Sequence, residues 1–266
     1  MGRGLLVCLL AVGGCAGVGE RGVEIIAHRG ASYLAPENTV AAAEVAWEVG
    51  ADAVEVDVYL SADGRMVVIH DRNTKRTSGV DLAVAKTDAA VLRSLDVGRF
   101  KGEEFAGEKI PFLREILATV PPGKRLFVEI ECGPEIVEPL REAIEASGRQ
   151  EQVVIICFDL EVAAEAKRAM PGREVYWLVG ARKDPETGEA LEHDAGNVRI
   201  AAERGLDGLD VHFAGVTEGF MEAVRGAGQR LYVWTVDDAQ EARRLAALGV
   251  AGITTNRPGW MREQLR

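Results

Sequence analysis

The residues best suited to chemistry fall at the ends of short apolar runs. His28-Arg29 closes the run that begins at Val23, and Glu55-Val56-Asp57 lies inside Ala53–Tyr59. Glu129-Ile130-Glu131 ends another run, and His70-Asp71 ends the extended piece Met66–His70. In a strand, side chains alternate between faces, so Glu55 and Asp57 share one face and Glu129 and Glu131 share another. Val54, Val56 and Val58 occupy the opposite face of the first pair, which argues against a strand end turned to solvent. Like-charged carboxylates gathered in a buried place are costly without a cation. Oxygen donors of this type favour Mg²⁺, Ca²⁺ or Mn²⁺ over zinc or copper. His28 and His70 are two of only four histidines, and imidazole titrates near neutrality, so a pair beside the acids suits proton transfer. Arg29 can fork onto a phosphate or carboxylate, or pair with a neighbouring acid.

Elements that repeat along the chain must position these groups. Apolar, β-branched runs at 23–27, 53–59, 125–130, 153–157, 174–178, 208–211, 231–235 and 251–254 alternate with helical patterns. The helical stretches are 37–49, 112–120, 134–147, 160–169, 195–204, 217–227, 238–247 and 258–265. Near-continuous apolar strands separated by helices predict a parallel sheet buried on both faces. Eight such units predict a (β/α)8 barrel, whose chemistry sits at the strand C-terminal ends; an open doubly wound sheet is the alternative. The chain has no G-x-G-x-x-G or Walker loop to support a nucleotide site. The polar stretch 71–111 reads as a small insertion after the second strand, covering the mouth of the site.

The chain of 266 residues is long enough for one large core, and its net charge is −11. That charge argues against nucleic acid or an anionic membrane surface as the main partner. At the N-terminus, Arg3, an apolar run from Leu5 to Val12 and small residues ending at Cys15 have the layout of an export signal. Val12-Gly13-Gly14-Cys15 also resembles a lipoprotein box, in which Cys15 would be lipidated and provide the only link to a membrane. The expected organisation is a leader over 1–15 and a barrel over 23–266, exported to the cell envelope. Cys132 and Cys157 lack metal-type spacing, and opposite parity to Glu129 places Cys132 toward the helices, so the two are not expected to bond.

Over about residues 24–263 the chain resembles the glycerophosphodiester phosphodiesterases of the (β/α)8 type. The resemblance rests on His28-Arg29-Gly30 with Pro36-Glu37-Asn38-Thr39, Glu55-x-Asp57, Asp63-Gly64 leading to His70-Asp71, and Ile110-Pro111-x-Leu113. It continues through Glu129-Ile130, Phe158-Asp159, Trp234-Thr235-Val236 and Gly249-Val250-x-Gly252-Ile253-Thr254-Thr255-Asn256-x-Pro258. The resemblance implies that Glu55, Asp57 and Glu129 hold a divalent cation and that His28 and His70 are the general acid and base. It implies that Arg29 grips the phosphate and that Trp234 lines the alcohol pocket; a core aromatic is the other reading of Trp234. The implied reaction releases glycerol 3-phosphate and an alcohol from a glycerophosphodiester such as glycerophosphocholine or glycerophosphoethanolamine. Glu37 and Asp71 are expected to brace the site, and Pro36–Thr39 to begin the first helix.

One departure stands out. Where the family carries lysine, two residues after the metal-binding glutamate, this chain has Glu131. It either joins a second cation, is tolerated with altered activity, or marks a degenerate site. Cys157 replaces a serine of the family and is expected to face the pocket. His212 is expected near the rim and His193 in solvent. Two rival readings remain: a barrel that binds phosphorylated ligands without turnover, and a related phospholipase-type phosphodiesterase. The sequence leaves the oligomeric state open.

Overall fold

A computed structural model describes residues 22–266; the leader expected over 1–15, with Cys15, lies outside them. Eight parallel strands form the barrel: β1 (Glu24–Ala27), β2 (Ala53–Leu60), β3 (Arg125–Ile130), β4 (Val153–Cys157), β5 (Glu174–Val179), β6 (Gly208–His212), β7 (Arg230–Trp234) and β8 (Gly252–Thr255). Each strand pairs with the next, and β1 pairs with both β8 and β2, which closes the cylinder. The helices that follow the strands are α1 (Val40–Glu48), α2 (Leu113–Thr119), α3 (Val137–Ser147), α4 (Leu160–Ala169), α5 (Gly196–Glu203), α6 (Glu218–Gly226), α7 (Ala239–Leu248) and α8 (Pro258–Gln264). The expected barrel is therefore present, with most element ends within a residue or two of their expected positions.

Strand alternation separates two cores. Outward residues such as Val54, Val56, Val58, Val128 and Ile155 pack with the helices. Inward residues, including Ile26, Phe127, Ile156, Tyr176, Leu178 and Tyr232, fill the barrel. At its N-terminal end the cylinder is closed by Arg125, whose guanidinium meets Glu24 at 3.0 Å and Glu174 at 2.6 Å and donates to Tyr232 Oη at 3.0 Å. Room for a ligand is left at the C-terminal end.

Polar caps start several helices just beyond the strand ends. The side chains of Thr39, Asp159, Thr217 and Asp238 accept backbone N–H groups that would otherwise lack partners. The first helix begins later than expected, at Val40 rather than near Glu37. Asn38 takes a positive φ of 58°, incompatible with a continuing right-handed helix, and Thr39 becomes the cap. Glu37 thus sits in a turn before the helix rather than in its first turn.

The extended piece ahead of the insertion forms a short strand, Met66–Val68, antiparallel to β2. Ile69, Val84, Ala89, Leu92, Val97 and Ile110 pack with Tyr59 into a small core of their own. His193 is buried rather than solvated. The short hairpin pair Arg182–Lys183 and Ala190–Leu191 precedes it, and its Nε2 lies 2.7 Å from the His212 carbonyl while its ring packs on Phe220.

Candidate active site

A cavity of about 220 Å³ opens among the C-terminal strand ends. His28, Arg29, Glu55, His70, Glu129 and Trp234 all line it, so the topology brings together residues far apart in sequence. Asp57 lies beside them; one ligand oxygen each from Glu55, Asp57 and Glu129 falls within 4.8 Å of the others. The pairing Asp57↔Glu129 puts adjacent strands in register there.

These carboxylates are poorly neutralised by protein. Glu55 Oε2 accepts the Arg29 backbone N–H at 2.8 Å, while buried Glu55 Oε1 has no partner. Burial, then the charge of Asp57, pushes the carboxyls of Glu55 and Glu129 well above their usual range. A hard divalent cation fits this donor set: three clustered carboxylates, one with an orphaned buried oxygen.

A tight turn holds Asp57 and Arg29 in place. Arg29 has a φ of 54°, and its Nε lies 3.3 Å from Asp57 Oδ2. Asn38 donates to the same oxygen at 2.6 Å and accepts the Asp57 N–H at 3.2 Å. Gly30 follows with φ 79°, and a β-carbon there would come within 2.6 Å of Ala42. Only glycine lets the loop lie against α1.

His28 is fixed through its Nδ1, 2.7 Å from Asn256 Oδ1. Asn256 Nδ2 donates to Asp237 Oδ2 at 2.5 Å, which orients the amide with its oxygen toward the ring. Nδ1 therefore carries the proton, and Nε2 is left as an acceptor. Burial first, and the Arg29 charge second, lower the His28 pKa.

His70 belongs to a chain of charged groups. Its Nδ1 is 2.7 Å from Asp71 Oδ1. Arg76, from the insertion, donates to Asp71 at 2.8 and 3.0 Å and to Glu37 at 2.6 and 2.9 Å. Glu37 also accepts from Arg29 Nη1 at 2.9 Å. The hydrogen bonds from Arg76 hold the Asp71 carboxyl down at about 2. Burial raises the Glu37 carboxyl, but the guanidiniums of Arg76 and Arg29 outweigh it and leave the pKa below its ordinary value. Glu37 and Asp71 thus contact Arg29 and His70 respectively and are tied to each other by Arg76, while Arg29 pairs with Glu37 and Asp57.

Glu131 points inward, its Oε1 3.5 Å from His70 Nε2. Burial, then Asp57, raises its carboxyl pKa. Cys157 does not face the pocket: alternation on β4 gives that place to Ile156, and Cys157 packs with the helix-side core, its Sγ 3.3 Å from the Ile130 carbonyl. Cys132 packs on the helix side, and both thiols are free.

Several further residues shape the site. Asp210 is buried inside β6, lines the cavity and leaves Oδ1 without a partner; burial pushes its carboxyl up to about 8. Its signal was the one used for Glu55: an acid flanked by apolar residues in a strand run. Asn38 and Asn256 stand in the motifs of the resemblance without a role, and Arg76 in none; they act through contacts across 19, 228 and 39 residues.

Two imidazoles and a guanidinium set in an excess of carboxylates at this end of a barrel suit a hydrolase of phosphoric diesters. Within that class, the chain belongs to the glycerophosphoryl diester phosphodiesterase family, which it matches over residues 28–260. It is 33% identical over 239 residues to a glycerophosphodiester phosphodiesterase of Caldanaerobacter subterraneus subsp. tengcongensis, covering 88% of this chain and 94% of that one. A glycerophosphodiester phosphodiesterase of Bacillus altitudinis is 30% identical, with 88% and 95% covered. Among solved structures, an Oleispira antarctica phosphodiesterase in complex with the product sn-glycerol-3-phosphate superposes with a TM-score of 0.80 at 26% identity, covering 92% of this chain and 97% of that one.

Proposed function

We propose that the protein hydrolyses glycerophosphodiesters to glycerol 3-phosphate and an alcohol, with a divalent cation held by Glu55, Asp57 and Glu129. The observation that carries this reading is the convergence of both histidines, Arg29 and the under-neutralised carboxylates on one cavity. Mg²⁺, Ca²⁺ and Mn²⁺ all suit oxygen donors. The bound cation would supply Lewis-acid stabilisation of the charge that builds on the phosphoryl oxygens.

The chain's own groups would do the rest. Arg29, braced by Glu37 and Asp57, would orient one phosphoryl oxygen. His28, neutral and with Nε2 as acceptor, would take the proton of the attacking hydroxyl, which belongs either to water or to the neighbouring glycerol hydroxyl. As the bond from phosphorus to the leaving oxygen breaks, that oxygen would receive a proton from His70, whose ring is held by Asp71. Trp234, edge-on to Phe158 at 5.5 Å, would form part of the pocket wall for the alcohol.

Release of glycerol 3-phosphate from a panel of glycerophosphodiesters, with each cation or with chelator, tests this reading. Cation-dependent release that is lost in His28→Ala and His70→Ala is expected. No release under any condition would refute it. From the leader pattern at 1–15 we further propose export, with anchoring through Cys15. Fractionation of cells expressing the parent and Cys15→Ala checks this, a cytoplasmic parent protein being the contrary result.

A further inference from the structure

Glu131 differs from the other acids of the mouth in what surrounds it. Glu37 and Asp71 are clamped by Arg76, Asp57 faces Arg29, and Glu55 and Glu129 surround the candidate cation position. Among the described residues, no lysine or arginine lies within ion-pair distance of Glu131, whose one charged-group contact is His70 at 3.5 Å. Its side chain is 20% exposed and lies beside His70, which lines the cavity, so it is not sealed inside the barrel.

An aromatic surface adjoins it. Register between β3 and β4 pairs Ile130 with Cys157, so the residues that follow, Glu131 and Phe158, leave neighbouring strands side by side. Phe158 is 48% exposed, so part of its ring is open to a ligand. Its ring meets Trp234 edge-on at 5.5 Å, and Trp234 meets His212 edge-on at 5.4 Å. Phe158 and Trp234 also line the cavity that holds both catalytic candidates.

We propose that Glu131 and Phe158 form a subsite for a positively charged leaving alcohol, making the protein selective for diesters that carry an ammonium head group. This rests on the reading that the mouth takes glycerophosphodiesters. An ethanolamine- or choline-type nitrogen is separated from its ester oxygen by only an ethylene unit, so it must sit near the phosphate site. A primary ammonium can bond to the carboxylate. A quaternary one has no N–H and is held by charge and by the faces of aromatic rings. A neutral polyol gains neither interaction, and a head group bearing a carboxylate meets repulsion.

A second divalent cation is the competing occupant, since Asp57, His70 and Glu131 also offer ligand atoms within 4.8 Å of one another. The geometry disfavours it. Asp57 is already one of the three ligands proposed for the first cation, and His70, whose ring is held by Asp71, would have to give up proton transfer to become a ligand.

The test compares glycerophosphocholine with glycerophosphoglycerol in the parent, Glu131→Gln and Phe158→Leu, by kcat/KM and by calorimetric binding. The ratio of the two ligands within each variant cancels any loss of folded protein. The parent is expected to favour the choline diester, and Glu131→Gln to cut that preference about tenfold, as befits a half-screened charge. Phe158→Leu should lower it as well. An equal ratio in parent and Glu131→Gln overturns the proposal. So does a second equivalent of bound Mn²⁺ that Glu131→Gln removes without changing the ratio. If neither diester is hydrolysed but the binding preference persists and follows Glu131, the hydrolytic reading fails while this subsite stands.

Discussion

Arg76 lies outside the cavity, yet it links the insertion, through Asp71, to His70, the proposed proton donor. Replacing it with methionine keeps the stem and removes four charge-assisted bonds, two to Asp71 and two to Glu37. In a buried setting each bond to a charged group nets about 1.5–3 kcal/mol. Arg76 is 44% exposed, however, and exposed pairs fall toward about 0–1 kcal/mol, so the whole clamp is expected to supply about 1–2 kcal/mol. If that energy holds Asp71, and through it the His70 ring, kcat should fall about 5- to 30-fold in Arg76→Met. Arg29 keeps its contacts to Glu37 and Asp57, so KM should move by less than about threefold. Arg76→Lys can serve one carboxylate but not both in fork geometry, and should recover part of kcat. Stopped assays of glycerol 3-phosphate release at saturating diester measure these values. Arg141→Met, which removes a comparable pair of carboxylate contacts from the surface of α3, is the control. A kcat for Arg76→Met within about twofold of the parent would refute the positioning role.

Other expectations follow from the same contacts. In chelated protein, Asp210 holds a proton up to about pH 8, whereas an unfolded carboxyl gives it up near its ordinary 3.8. The native state thus binds more protons across that window, and stability should fall as pH rises through it. Thermal melts of the chelated protein should show this decline, cation should reverse it at the alkaline end, and Asp210→Asn should make it shallower, with Glu55 and Glu129 supplying the remainder; a flat parent profile would contradict the assignment. Gly30→Ala should destabilise by about 2–4 kcal/mol, from the left-handed backbone and the clash with Ala42, and an unchanged urea midpoint would show that the loop yields. Asn256→Ala frees the His28 ring and should lower kcat about 10- to 100-fold, with a change in the acid limb of the pH–rate profile.

Where the sequence was informative, it was so because the signal was local. Period-two alternation put Glu55 and Asp57 on the inward face and Val54, Val56 and Val58 against the helices, and the cores divide that way. The same rule, applied to Cys157, would have pointed it to the helices, because Ile156 shares its face with Val154 inside the barrel. The analogy with a serine of the family hid that. His193 was misread because its polar neighbours in sequence are not its neighbours in space: the ring packs on Phe220 and bonds a carbonyl beyond α5. The roles of Arg76 and of Asn256, though the latter stands in a motif of the resemblance, are set only when the insertion or barrel closure brings the partner near.

The charge balance of the mouth connects these points. Glu37, Glu55, Asp57, Asp71, Glu129, Glu131 and Asp210 converge there, and the guanidiniums that pair with them are Arg29 and Arg76. Those guanidiniums are spent on Glu37, Asp71 and Asp57, so the inner carboxylates must either hold protons or meet a cation. A divalent ion would relieve Glu55, Asp57 and Glu129, and would leave Glu131 with only His70 at 3.5 Å and the more distant charges of Arg29 and Arg72. An anionic diester makes that residual charge worse unless its far end is positive. The acid at position 131 is therefore unfavourable for neutral and anionic head groups, and for an ammonium head group it is the counterion that a lysine there could not provide.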